Sequence, residues 1–121
     1  MSVLSLLQDV KITKVENANV AGAADIVCDS VDMCGYRGVL FFTTPGTITS
    51  GAATSIKVQQ SSDDAVADAW SDLTGTSITI ADDDDNQIFG VEIIEPGKRY
   101  LRPSILRATQ NSVFGEVYAV R

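Results

Sequence analysis

The residues most able to do chemistry fall in two acidic stretches, Asp63–Asp72 and Asp82–Asn86, and a basic one that starts at Lys98. Clustered carboxylates invite a hard cation, which wants several oxygens at once. Asp82, Asp84 and Asn86 fit the first, third and fifth positions of an EF-hand calcium loop. The sixth, which needs glycine for a sharp turn, is Gln87, and the twelfth, which needs a bidentate glutamate, is Ile93. The motif fails, and the stretch reads as a solvated turn without a metal. Nucleophilic catalysis lacks its usual base, because the chain has no histidine. The glycine-rich GTITSGAATS has no GxxxxGK[ST] pattern and so no phosphate cradle. The paired carboxylates lie in turn-like segments. These residues argue against an enzyme and against a bound cofactor.

Recognition chemistry is the remaining option. Trp70, Tyr36 and Tyr100 could build a sugar platform, although each also has a plausible place in a core or at a sheet edge. From Asp63 to Asp85 there are eight acids and no base, whereas Lys98 to Arg121 holds five bases and Glu116. If the fold keeps these segments apart, the molecule has opposed faces that orient it on a partner. If strand pairing brings them together, the field cancels. The net charge of −7 argues against binding a nucleic-acid backbone or an anionic membrane surface.

These residues need elements to position them. With 121 residues the chain suits one domain with a core of its own. Cys28 and Cys34 are too few for a secreted disulfide framework and read as small, half-buried thiols, although a bridge between them is sterically possible. The N-terminal MSVLSLLQD has no basic leader region, and no run approaches the ~18 apolar residues that span a bilayer. Synthesis in the cytoplasm is expected. Residues 1–9 read as an arm carrying Leu4 and Leu7, and residues 10–121 as the folded domain.

Strand signals recur along that domain. Val10–Val15 and Asp25–Asp32 alternate, and Ser55–Ser61 does so cleanly. Tyr36–Thr44 is the most apolar run; Val39, Leu40, Phe41 and Phe42 show no alternation, so both faces should be covered, as in a central strand or a subunit contact. Pro45-Gly46 should end it. Asp63–Asp72 has weak helical spacing and reads as a loop that packs Trp70 on a sheet edge. Ser77–Ala81 is a further strand. Ile88–Glu95, Tyr100–Thr109 and Val113–Val120 read as a meander, with a type II turn at Pro96-Gly97. About eight short strands and no strong helix point to an all-β antiparallel sandwich or barrel.

The order of these segments resembles a known family. A glycine-led apolar strand (Gly38–Phe42) is followed by SIKVQQSSDD, AWSDLTGTSITI, an acidic turn and EPGKRYLRPSILRAT. The chain is similar, from about Val10 to Val120, to the head decoration, or cement, proteins encoded beside the major capsid protein in tailed bacteriophages. The resemblance implies a single-domain β-sandwich of jelly-roll type that forms a homotrimer on the outer capsid surface of the virion and stabilises the head. It implies the major capsid protein as partner and no catalysis. Lys98, Arg99 and Arg102 at a projecting hairpin tip, together with Leu4 and Leu7 of the arm, are the expected capsid contacts. Val39, Leu40, Phe41, Phe42 and Tyr100 are the expected oligomer contacts. The alternative is a virion-surface or tail adhesion module that binds host glycans through Trp70 and Tyr36.

Overall fold

Alternation along the strands decides which residues enter the core. In the most apolar run Val39, Phe41 and Thr43 point inward while Leu40 and Thr44 are exposed. The strand is central in its sheet and does alternate: Leu40 and Phe42 belong to an outer face that the chain by itself leaves uncovered, and the period of two was masked because that face is also apolar.

The computed structural model describes residues 9–121. It has eleven strands: β1 (Ile12–Glu16), β2 (Asn19–Gly22), β3 (Ile26–Val27), β4 (Val31–Asp32), β5 (Gly38–Ile48), β6 (Ala53–Ser61), β7 (Ser71–Asp72), β8 (Ile78–Ile80), β9 (Phe89–Ile94), β10 (Tyr100–Ala108) and β11 (Ser112–Val120). The first sheet runs β1-β11-β5-β9, with β2 also on β11. The second runs β3-β10-β6-β7, with β4 on β10 and β8 on β6. All pairings are antiparallel. Counted as single interrupted strands, β1–β2, β3–β4 and β7–β8 reduce the eleven to the eight expected. Their order is then first-eighth-third-sixth and second-seventh-fourth-fifth, the wrapped hairpin of a jelly roll. The fold is an all-β sandwich.

Phe41 and Phe114 of the first sheet meet Ile56, Leu101 and Ile105 of the second in one core cluster. All five are within 1 % of full burial. Each such side chain contributes about 1.5–3 kcal/mol relative to exposure. Arg107 also enters the interior, at 7 % exposure. Its guanidinium donates to the carbonyls of Ala24 (2.7 Å), Val20 (2.9 Å) and Ser112 (2.8 Å), fastening the β2–β3 connection to both sheets. A cation that reads as surface charge in the sequence is thus an internal tie.

Several sequence expectations change. The C-terminal third is not a meander: β9 and β11 lie in the first sheet and β10 in the second, so each connection crosses the sandwich. Nor does Pro45-Gly46 end its strand. β5 continues to Ile48, and Pro45 sits opposite Phe114, where the ladder slips on both sides. A bulge is where a strand tolerates a proline. At Pro96-Gly97 the left-handed residue is Glu95 (φ 53), not Gly97, so there is no type II turn. Asp25–Asp32 is broken into β3 and β4. The arm residues Leu4 and Leu7 lie outside the described residues.

Candidate functional site

Two outer faces and one end of the sandwich carry the residues singled out above. On the first sheet, register aligns Ile12, Val120, Leu40 and Glu92 across β1, β11, β5 and β9. The next row is Lys14, Tyr118, Phe42 and Gly90. The Phe42 and Tyr118 rings meet at 5.5 Å. Ile12 is 52 % exposed, Leu40 38 % and Ile94 55 %. The result is an apolar stripe over the middle strands, flanked by Lys14 and Glu92. Of the expected oligomer contacts, Leu40 and Phe42 lie in this stripe. Val39 and Phe41 are core residues of their own chain, and Tyr100 lies on the second sheet.

The outer face of the second sheet combines an internally bonded polar network with two exposed apolar side chains, Val27 and Leu106. Asp72 accepts from Lys57 Nζ and Gln59 Nε2, both at 3.0 Å. Those bonds, Gln59 first, hold its carboxyl below the usual range. Gln59 Oε1 in turn accepts from Arg102 Nε at 2.9 Å, and the Arg102 guanidinium lies 4.5 Å from the Trp70 ring. Burial pulls the Arg102 pKa down from its usual value. Trp70 therefore does meet the sheet, as the sequence suggests, but it does so under a cation.

At the end of the sandwich the expected cationic tip is already neutralised. Arg99 clasps Asp32 with two bonds of 2.8 Å, which lower the Asp32 pKa to about 2 and raise that of Arg99. Lys98 donates to Asp68 at 2.7 Å, the main reason that Asp68 also falls to about 2. Arg37 faces Glu95 at 3.4 Å. Arg121 bonds the Asp32 carbonyl at 2.7 Å and lies 4.6 Å from the Tyr36 ring. A depression of about 330 Å³ between Tyr36, Met33 and Pro96 remains, rimmed by these closed pairs. Lys98 of the basic segment has met Asp68 of the acidic one, so the field of the two segments cancels in part. Arg102 has Gln59 and Trp70 as its neighbours.

The aspartates are architectural. Asp63 takes the N–H groups of Ala67 (2.9 Å) and Asp68 (3.0 Å), which lowers its pKa and folds the loop back on itself. Asp82 accepts from Gly51 N–H at 2.9 Å and Asp85 from Ile48 N–H at 3.0 Å, so the acidic turn grips the β5–β6 connection. Asp84 accepts from Ala81 N–H. The sequence reads these as solvated charges; an aspartate in a turn beside backbone donors is the signal that points to capping instead. Among the described residues no group of three or more His, Cys, Asp or Glu could hold a metal. Both cysteines are free, Cys34 exposed and Cys28 buried, and burial pushes the Cys28 thiol up to about 12.

No family profile matches the chain. No curated protein matches it in sequence. Among solved structures, the crystal structure of the SPBc2 prophage-derived protein YomS is similar, with a TM-score of 0.54 over 100 % of both chains at 10 % sequence identity. At that identity the likeness is one of fold.

Proposed function

We propose that this protein is a structural component of a bacteriophage virion, a decoration protein that lies on the major capsid protein lattice and stabilises the head. The contrast between its outer faces carries the reading. One sheet offers the adjoining Leu40, Phe42, Ile12 and Tyr118 to a partner, whereas the other sets Val27 and Leu106 beside a polar network bonded within the chain. A binding module that covers a large protein surface needs one such face, a stable core and many copies, each holding weakly. The jelly-roll sandwich it shares with a prophage-derived protein supports the same setting. Lys98 and Arg99 take a smaller part than the sequence suggests, since Asp68 and Asp32 already hold them. The reading includes no catalytic step and no cofactor. A glycan-binding role is less well supported, because Trp70 and Tyr36 each carry a guanidinium on one ring face.

Co-sedimentation with purified expanded capsids that lack accessory proteins tests it. The native protein should pellet with the capsids. Leu40→Glu combined with Phe42→Glu should stay in the supernatant while keeping its thermal midpoint within a few degrees, because both side chains are on the outer face. Native protein that never pellets, or a double variant that pellets equally well, removes the proposal.

A further inference from the structure

The two sheets have four edges, and they are not equally protected. On the second sheet the edges are broken: β3, β4 and β7 have two residues each and β8 has three. At the β1 edge of the first sheet the ladder shifts between Lys14 and Glu16, and the Val15 carbonyl is taken by Asp29 N–H at 2.8 Å. Short strands, lysines and bulges are the usual devices that stop one edge from pairing with another. The β9 edge has none of them. It is six unbroken residues, FGVEII, with a single charge, and no other strand of the described residues pairs its free side. Ile88, just before it, is 74 % exposed, and Ile94 at its end is 55 % exposed.

Backbone direction at this edge is fixed by one bond. Glu95 N–H donates to the Arg37 carbonyl at 2.7 Å, continuing the ladder with β5. In an antiparallel ladder, bonded residues alternate. Residues 89, 91, 93 and 95 therefore turn their N–H and C=O toward β5, and Gly90, Glu92 and Ile94 turn theirs to the free edge.

We propose that β9 pairs antiparallel with β9 of a second copy about a two-fold axis at Val91, joining the two first sheets into one. This register is the one that suits the side chains. It sets Glu92 opposite the partner's Gly90, where no like charge and no Cβ stands. It sets Ile88 opposite the partner's Ile94, and by symmetry each pair occurs twice. These are the residues whose backbone groups face outward. A shift that centres the axis on Glu92 instead would place two carboxylates face to face, which is destabilising. The outer apolar stripes of the two copies then lie on one shared outer face, parted at the seam by the Glu92 and Gly90 pairs. A self-complementary patch of this kind gives a closed dimer rather than a filament. It is a two-fold alternative to the three-fold association implied by the family resemblance, and it does not depend on what the protein decorates.

Sedimentation at micromolar concentration tests the association, and cysteine pairing tests the register. The native chain should run at two chain masses. Glu92→Pro removes an N–H that faces the free edge, where a proline is tolerated, and should give one chain mass with the thermal transition retained. In a Cys34→Ser background, mild oxidation of a mixture of Ile88→Cys and Ile94→Cys proteins should give a mixed disulfide dimer, and neither protein alone should give one. A native monomer at every concentration overturns the pairing, as does a native trimer. If Glu92→Pro fails to fold, the cysteine mixture decides: absence of the mixed dimer, or a dimer from Ile94→Cys alone, overturns it.

Discussion

At the scale of single residues, hydrogen-bonded carboxylates hold distant parts of the chain together. Asp32 joins β4 to Arg99 just before β10 and, through its carbonyl, to Arg121 at the end of β11. Asp68 joins the loop before β7 to Lys98. Both carboxyls are depressed from 3.8 to about 2 by these bonds. The sign follows from linkage: a carboxyl whose folded pKa lies below its unfolded one stabilises the fold above the unfolded value and loses that contribution as pH falls through the folded one. The thermal midpoint should therefore drop between about pH 4 and pH 2. In a variant carrying Asp32→Asn and Asp68→Asn, the midpoint should lie below the native one at pH 6, with the gap shrinking toward pH 2. Melts by circular dichroism at pH 6, 4, 3 and 2 measure this, and a gap that stays constant with pH would rule out the assigned pairs as its source. The Arg99–Asp32 pair is exposed and the Lys98–Asp68 pair only half-buried, so added salt should narrow the gap at pH 6.

At the scale of elements, the acidic turn before β9 shows how a local signal can be seen and still misread. Its composition is legible as a turn, and its failure as a calcium loop is legible from Gln87 and Ile93. What it holds is not, because Ile48 and Gly51 lie more than thirty residues upstream and only the fold brings them near. Asp85→Ala should cost about 1 kcal/mol by stranding the Ile48 N–H. Asp83→Ser should stay within about 0.5 kcal/mol. Urea unfolding of the two variants separates a gripping turn from a solvated one, and equal effects would contradict the grip. The same division holds for strands. Ser55–Ser61 is plain from its alternation, and β6 extends it by two residues at its start. β5 hides its period behind Leu40 and Phe42, and the bulge opposite Pro45 cannot be seen without its partner Phe114. β9, β10 and β11 are legible as strands but not as members of different sheets, since neighbours in sequence are the default partners in a reading of local signals. The cationic tip was legible by type and not by state, because Asp32 and Asp68 reach it across the fold.

At the scale of the whole molecule, the strand order is a single hairpin wrapped into two layers. β6 with β7 and β8 forms its closed end, β5 with β9 and the β3–β4 pair with β10 follow, and β1 with β11 forms its open end. That geometry also implies a timetable. Loop closure is least costly where the chain between partners is shortest. Contacts distant in sequence must wait, which makes sandwiches slow folders on the millisecond to second scale. The β6–β7 connection is where Asp63 has already tied the backbone to itself, so the rate-limiting step should involve that end. The β1–β11 end, where Arg121 reaches Thr13 and the Asp32 carbonyl, should close last and open first. Asp63→Ala should accordingly slow refolding and leave the unfolding rate almost unchanged, whereas Arg121→Ala should speed unfolding and leave refolding alone. Stopped-flow chevrons of the two variants would show it, and the reverse assignment would mean that the chain zips from its ends. A wrapped hairpin is thus directional in time, and the acidic Asp63–Asp72 loop marks the end from which folding should start.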